Sequence, residues 1–177
     1  MAMEKLFLIK PHEDDIDEIR AYRDEFLEHD DHSHGDSGLY DTPDILHWIN
    51  RCRLYENERT LPNPNFVEAE QFMLVGESNS EILGMINFRH NLNNKYLAEH
   101  GGHIGFAVRP KKRRRRYATV MLMLCLEKCR EYGLNKVLIT CDADNEASRR
   151  TIITCGGKFE RIAQTGDEVD ERYWITL

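Results

Sequence analysis

The 177-residue chain has no apolar run approaching the roughly 18 residues that a membrane-spanning helix needs. Its first residues, Met-Ala-Met-Glu-Lys, lack the apolar core of a signal peptide, so a cytoplasmic protein is expected. None of the five cysteines, Cys52, Cys125, Cys129, Cys141 and Cys155, forms a CxxC pair, and their number is odd. A disulfide framework is therefore not expected, and buried reduced thiols are. Internal repeats are absent, as is any linker long enough to divide the chain, so one domain should span residues 1–177. An apolar share of 41% beside 31% charged residues excludes wholesale disorder.

What is present is an uneven distribution of charge. The formal balance is −7, yet seven of the 24 Lys and Arg lie between Arg109 and Arg116. Without them 17 bases face 31 acids, a balance of −14. Such an acidic body repels phosphate everywhere except at that run, which argues against general nucleic-acid binding.

Hydrophobic periodicity places the elements. Residues 6–9 read as a short strand, and a helical pattern follows from Asp14 through Ile16, Ile19, Tyr22, Phe26 and Leu27. A polar loop, 28–36, separates this from a second helix opened by Asp44, with Ile45, Trp48, Ile49, Cys52 and Tyr55 as its buried stripe. The Pro- and Asn-rich residues 61–65 end the helical section. Residues 71–77 and 81–89 read as a β-hairpin, and 103–108 as a central strand. An amphipathic helix over 118–129 stops near Gly133; a strand at 137–140, a helix at 145–155 and a closing hairpin of 159–163 and 172–175 follow. The succession predicts an α/β fold with a mixed, mainly antiparallel, twisted sheet and helices on both faces.

The basic run sits between the central strand and the amphipathic helix that Tyr117, Ala118 and Thr119 open. A helix start offers unpaired N–H groups and the positive end of the dipole, and flanking guanidinium groups suit a pyrophosphate. Short Lys/Arg runs also occur as solvated loops, localisation signals or nucleic-acid patches, but usually in exposed tails. Its position between two buried elements favours phosphate.

Three segments carry a family resemblance: Gly102-His103-Ile104-Gly105-Phe106-Ala107-Val108-Arg109-Pro110, the stretch from Arg113 to Ala118, and Asp144-Asn145-x-x-Ser148 followed by Gly156-Gly157. Over about residues 70–160 the chain resembles the GNAT acetyltransferases, and most of all a bacterial branch with a Gly-His-Ile-Gly strand. The resemblance implies acetyl transfer from acetyl-CoA to a small-molecule or peptidyl amine in a ternary complex. It implies that Arg113, Arg114, Arg115, Arg116, Tyr117, Ala118 and Thr119 cradle the pyrophosphate. Phe106, Ala107 and Val108 would hold the pantetheine arm and polarise the thioester carbonyl through backbone N–H groups. Asn145 and Ser148 would lie along the cofactor, although Asn145 reads equally as a helix N-cap. Dimers are common in the family, and a homodimer is carried over with the rest.

Two positions depart from the pattern. Arg116 stands where the phosphate loop has its central glycine, and a side chain there obstructs close approach of the backbone to phosphate. Ile152 stands where many relatives place the tyrosine that protonates the leaving thiolate. These two support a second reading, a binding or regulatory module that takes CoA weakly or not at all. The family glutamate that serves as base aligns near Gly102 and is not carried over. Glu99, His100 and His103 are the candidate bases, and Tyr173 a candidate acid; each also reads as an ordinary structural residue. Cys141, at a strand end near the cleft, reads as a buried thiol. The loop residues His29, His32 and His34, with Asp30, Asp31 and Asp36, lack a rigid i, i+4 pair, so no metal is expected. The first 60 residues hold 16 acids against seven bases, a field that attracts a cationic amine and also fits a merely soluble face.

Overall fold

A computed structural model describes residues 5–77 and 79–177. The chain begins with β1 (Leu6–Ile9), α1 (Ile16–Glu28) and α2 (Ile45–Tyr55). It continues through β2 (Ala69–Gly76), β3 (Asn79–Arg89), β4 (Ile104–Val108) and α3 (Tyr117–Tyr132), then β5 (Lys136–Asp142), α4 (Glu146–Thr154), β6 (Lys158–Thr165) and β7 (Glu168–Thr176).

The strands form two sheets, β1-β2-β3-β4 and β5-β7-β6, and every ladder in them is antiparallel. Residues 103–108 and 136–141 are not joined by a ladder. The two segments belong to different sheets and meet where His103 N–H donates to the Leu138 carbonyl at 2.7 Å. Beyond that point β4 and β5 part, which opens the molecule between its sheets.

Alternation along β2 shows why both faces must be covered. Phe72 and Leu74 enter one core with Ile86, Phe88 and the α3 residues Met121, Leu122 and Cys125. Met73 and Val75 point the other way, into a second core with Tyr22, Phe26, Trp48 and Ile49 of α1 and α2. The first core continues into the second sheet through Val137, Ile139, Tyr173 and Ile175, so the sheets part at one edge while sharing a hydrophobic interior. Four cysteines are buried and Cys155 is half-buried; all five are free thiols.

The polar loop after α1 is folded down rather than loose. Trp48 donates its indole N–H to the Asp36 carbonyl at 2.8 Å, and the buried Asp36 carboxylate accepts from Gly38 and Tyr40 N–H. Gly35, at φ +69°, lies directly on β4, where a Cβ would stand 2.0 Å from the Gly105 carbonyl oxygen. Residues 97–101, a polar stretch with no periodic signal, form a π-helical turn that ends at Gly102, φ +62°. Among the described residues no helix is long and apolar enough to cross a membrane.

Candidate active site

A cleft of about 730 Å³ occupies the parting between β4 and β5. Its walls come from β4, the end of β5, the N-termini of α3 and α4, the loop after α1 and the π-helical turn.

The exposed edge of β4 supplies donors. Arg109 N–H donates to the Leu83 carbonyl, and the register pairs Ala107 with Met85 and Gly105 with Asn87. In an antiparallel ladder bonded and non-bonded positions alternate, so residues 105, 107 and 109 face β3. The N–H groups of Phe106 and Val108 therefore point at the parting, and both residues line the cleft. Ala107 lines it too, but its carbonyl accepts the Tyr22 hydroxyl at 3.3 Å.

The start of α3 forms the next wall. Arg116 is its N-cap, in the left-handed conformation (φ 66°, ψ 8°), and offers no side-chain cap. The first bond of this turn runs from Val120 N–H to the Arg116 carbonyl at 3.1 Å, which leaves the N–H groups of Tyr117, Ala118 and Thr119 outside the ladder. The contrast with α2 and α4 is direct, because Asp44 and Asn145 cap those helices with their side chains.

The basic run divides in two. Arg109 is buried and donates to Glu25 at 2.8 Å and Glu18 at 2.5 Å. Burial alone would raise the Glu25 carboxyl, but Arg109 and the Lys111 N–H outweigh it and hold its pKa down. Lys112 pairs with Glu81 at 2.7 Å, Lys111 lies 3.9 Å from Glu28, and Arg113 reaches Asp31 at 2.5 Å. Among the described residues Arg114, Arg115 and Arg116 form no ion pair, and all three are exposed. Four of the seven charges thus strap the loop to its acidic neighbours, and three remain beside the uncapped helix. The obstruction expected from Arg116 is not a conformational one: it adopts the left-handed backbone that a glycine would take.

At the opposite end, His100 is buried with Nδ1 2.7 Å from Asp170 and Nε2 3.0 Å from the Thr165 hydroxyl. Beside the Asp170 carboxylate Nδ1–H is the donor, whereas the Thr165 hydroxyl can donate to Nε2 or accept from it. Burial raises the Asp170 carboxyl although His100 opposes this. Tyr96 stacks on the His100 ring and donates its hydroxyl to Glu168 at 2.8 Å; burial and that bond push its pKa to about 12.

The cleft gathers Phe106, Ala107, Val108, Arg113, Arg114, Arg116, Tyr117, Ala118, Thr119, Asn145, Ser148 and His100. Arg115, Glu99, His103 and Tyr173 are not in its walls. Glu99 is ion-paired with Arg161 at 2.7 Å, which lowers its pKa. His103 accepts the Leu138 N–H at Nδ1, and burial depresses its pKa to about 4, so the ring is neutral. Tyr173 donates to Glu171 at 2.7 Å and is raised to about 12, by burial first. Ile152 is fully buried in the first core, not turned toward the cleft. Cys141 does line the cleft, but burial raises its thiol to about 11, the reverse of an activated nucleophile. Asn145 is the N-cap of α4, its Oδ1 accepting the Ser148 N–H at 3.0 Å, and it also borders the cleft. The histidines of residues 29–36 do not converge; the ligand-like grouping among the described residues is His100, Glu168 and Asp170. Tyr96, Glu168 and Asp170 had no sequence signal, because 70 residues separate His100 from Asp170.

This architecture is that of an acyltransferase fold built around a split sheet. The model of the Acetyltransferase (GNAT) family matches residues 42–156, and the chain belongs to that family. The fold is shared with the ribosomal-protein-S5-alanine acetyltransferase of Vibrio fischeri, at TM-score 0.69 and 15% identity over 99% of this chain and 94% of that one. It is shared with a spermidine N-acetyltransferase SpeG chimera from Vibrio cholerae and hSSAT (0.65, 14%, 97% and 95%). A third similar structure is yncA of Salmonella typhimurium with its cofactor acetyl-CoA (0.63, 13%, 97% and 94%). No curated protein matches by sequence.

Proposed function

We propose that the protein moves an acetyl group from acetyl-CoA to an amine by direct attack in a ternary complex. The observation that carries this is one cleft holding both an uncapped helix start with two unpaired arginines, Arg114 and Arg116, and a strand edge with free N–H groups. The first suits a pyrophosphate, through aligned N–H groups, dipole and guanidinium charge. The second suits an extended amide-bearing arm. The cleft walls therefore fit acetyl-CoA, which would supply the activated acetyl group. The Phe106 or Val108 N–H would donate to the thioester oxygen where negative charge develops.

His100 is the base in this reading. An incoming ammonium that displaces the Thr165 hydroxyl gives its proton to Nε2, and Asp170, bonded to Nδ1, holds the tautomer and stabilises the imidazolium. The amine nitrogen then bonds to the acetyl carbon as the carbon–sulfur bond breaks. With Ile152 in the core and Tyr173 bonded to Glu171, solvent carries the second proton of the amine nitrogen to the leaving thiolate. The left-handed Arg116 weakens the case for a module blind to CoA, because the loop keeps a glycine-like path. The solved relatives named above act on a protein alanine and on spermidine, so the amine class is open between them.

A melting experiment tests the donor. Saturating acetyl-CoA should raise Tm according to RT ln(1 + [L]/Kd), about 2.7 kcal/mol at one hundred times Kd. No shift at millimolar acetyl-CoA refutes the proposal, whereas CoA release with an amine panel would identify the acceptor.

A further inference from the structure

Arg89 ends β3 beneath the acceptor side of the cleft. Its Nη1 donates to the carbonyls of Gly101 at 2.8 Å and Gly102 at 3.1 Å, so the head is fixed against the end of the π-helical turn. No carboxylate pairs with it among the described residues. Arg89 is half-buried, and the two buried arginines differ from it: Arg109 has Glu25 and Glu18, and Arg172 has Glu160 at 2.8 Å. Burial of the uncompensated guanidinium lowers its pKa.

Nε and Nη2, the edge able to grip a carboxylate with two parallel bonds, carry no partner among the described residues. The Nη2 side borders Gly105, where a Cβ would lie 3.4 Å away and begin to cover it. Arg89 also stands where the main cleft meets a second cavity of about 300 Å³, whose walls include Asn65, Asn87 and Asn94. Just across the turn, His100, Glu168 and Asp170 present ligand atoms within 4.8 Å of one another. One end of the cleft therefore offers a fixed, unpaired cation next to an anionic cluster.

We infer that the acceptor amine carries a carboxylate of its own, gripped by Nε and Nη2 of Arg89 while its ammonium enters the His100–Asp170–Glu168 cluster. The inference rests on the acetyl-transfer reading for calling this ligand an acceptor. A half-buried guanidinium without counter-charge carries part of the cost of desolvation, and a carboxylate with matched geometry offsets that cost. The carboxylate belongs either to a free amino acid or to the first side chain of a peptide.

Paired acceptors test this by CoA release: lysine against cadaverine, alanine against ethylamine, and a peptide beginning with glutamate against one beginning with glutamine. The acid member of at least one pair should be favoured by about tenfold or more in kcat/KM, as expected for a charge-assisted bond. The pair that responds identifies the source. In Arg89→Gln that preference should fall by about tenfold, and Arg89→Lys, which keeps the charge but not the fork, should recover only part of it. Because each preference is a ratio within one protein, partial unfolding cancels. Equal rates for both members of every pair, or a preference unchanged in Arg89→Gln, overturn the inference. If no amine is acetylated, the acetyl-transfer reading fails by itself, and ligand-induced melting shifts decide the site. Wild type should then be stabilised by lysine more than by cadaverine, and Arg89→Gln by both alike; equal shifts in wild type overturn it.

Discussion

Replacing Arg116 separates the two things that residue does. At φ 66° and ψ 8° its Cβ crowds its own backbone, a cost of about 1–2 kcal/mol for an L-residue. Glycine removes that cost but adds about 0.5–1 kcal/mol of unfolded-chain entropy, so Arg116→Gly should gain about 0.5–1 kcal/mol net. With an unfolding entropy near 2.1 cal/mol/K per residue, a chain of 177 residues should melt about 1–3 °C higher. Arg116→Ala is the control: it loses the same charge but keeps Cβ, and should melt no higher than wild type. Calorimetric titration with acetyl-CoA completes the comparison. Both variants lack the guanidinium, so the glycine form should bind a few-fold tighter if Cβ impedes approach to the N–H groups of Tyr117, Ala118 and Thr119. Equal melting temperatures for the two variants would refute the strain argument, and equal affinities would refute the steric one.

Two further perturbations probe what surrounds the cleft. Gly35→Ala places a Cβ 2.0 Å from the Gly105 carbonyl oxygen at φ +69°, so the loop must lift from β4. A loss of at least about 2 kcal/mol is expected in chemical denaturation, and an unchanged midpoint would contradict the contact. His103 makes stability depend on pH. Its folded pKa, about 4, lies below the ordinary 6.5, because burial and the nearby Arg89 charge disfavour the imidazolium. The unfolded chain thus binds the proton first as pH falls, and stability present above pH 6.5 is lost down to about pH 4, by about 3 kcal/mol. His103→Gln keeps an acceptor for Leu138 N–H but cannot titrate, so its loss over that window should be smaller; an identical slope would exclude His103 as the cause.

The elements were legible wherever one face had to be buried. The stripe Ile45, Trp48, Ile49 and Cys52 is buried as its spacing requires, and Gly133, at φ +103°, ends α3. The π-helical turn was not legible, because Arg89 and the surrounding elements hold it rather than any periodicity of its own. The donor side of the cleft was legible in part: a strand, a basic loop and a helix start are contiguous in sequence. The parity of β4 was not, since cross-strand bonds such as that from Arg109 N–H to Leu83 decide that the N–H groups of Phe106 and Val108, not that of Ala107, face the parting. The acceptor side is assembled from β3, the π-helical turn and β7, and no local pattern announces a histidine that meets its carboxylate 70 residues away.

The concentrated positive charge turns out to serve two ends, and the division has an energetic reason. A loop of seven bases held against the start of a helix would repel itself and the dipole's positive end. Glu18, Glu25, Glu28, Asp31 and Glu81 relieve that repulsion by pairing with the four earliest bases, and in doing so they tie α1 to the end of β4. The buried Arg109–Glu25 pair is the costly part, because both charges leave water, and it is tolerable because Glu18 and the Lys111 N–H complete the bonding. What remains for an anion is three exposed arginines and three helix N–H groups. That is a short-range, directional site and not a seven-charge field: its affinity should come from phosphate geometry at the mouth of the cleft more than from long-range attraction.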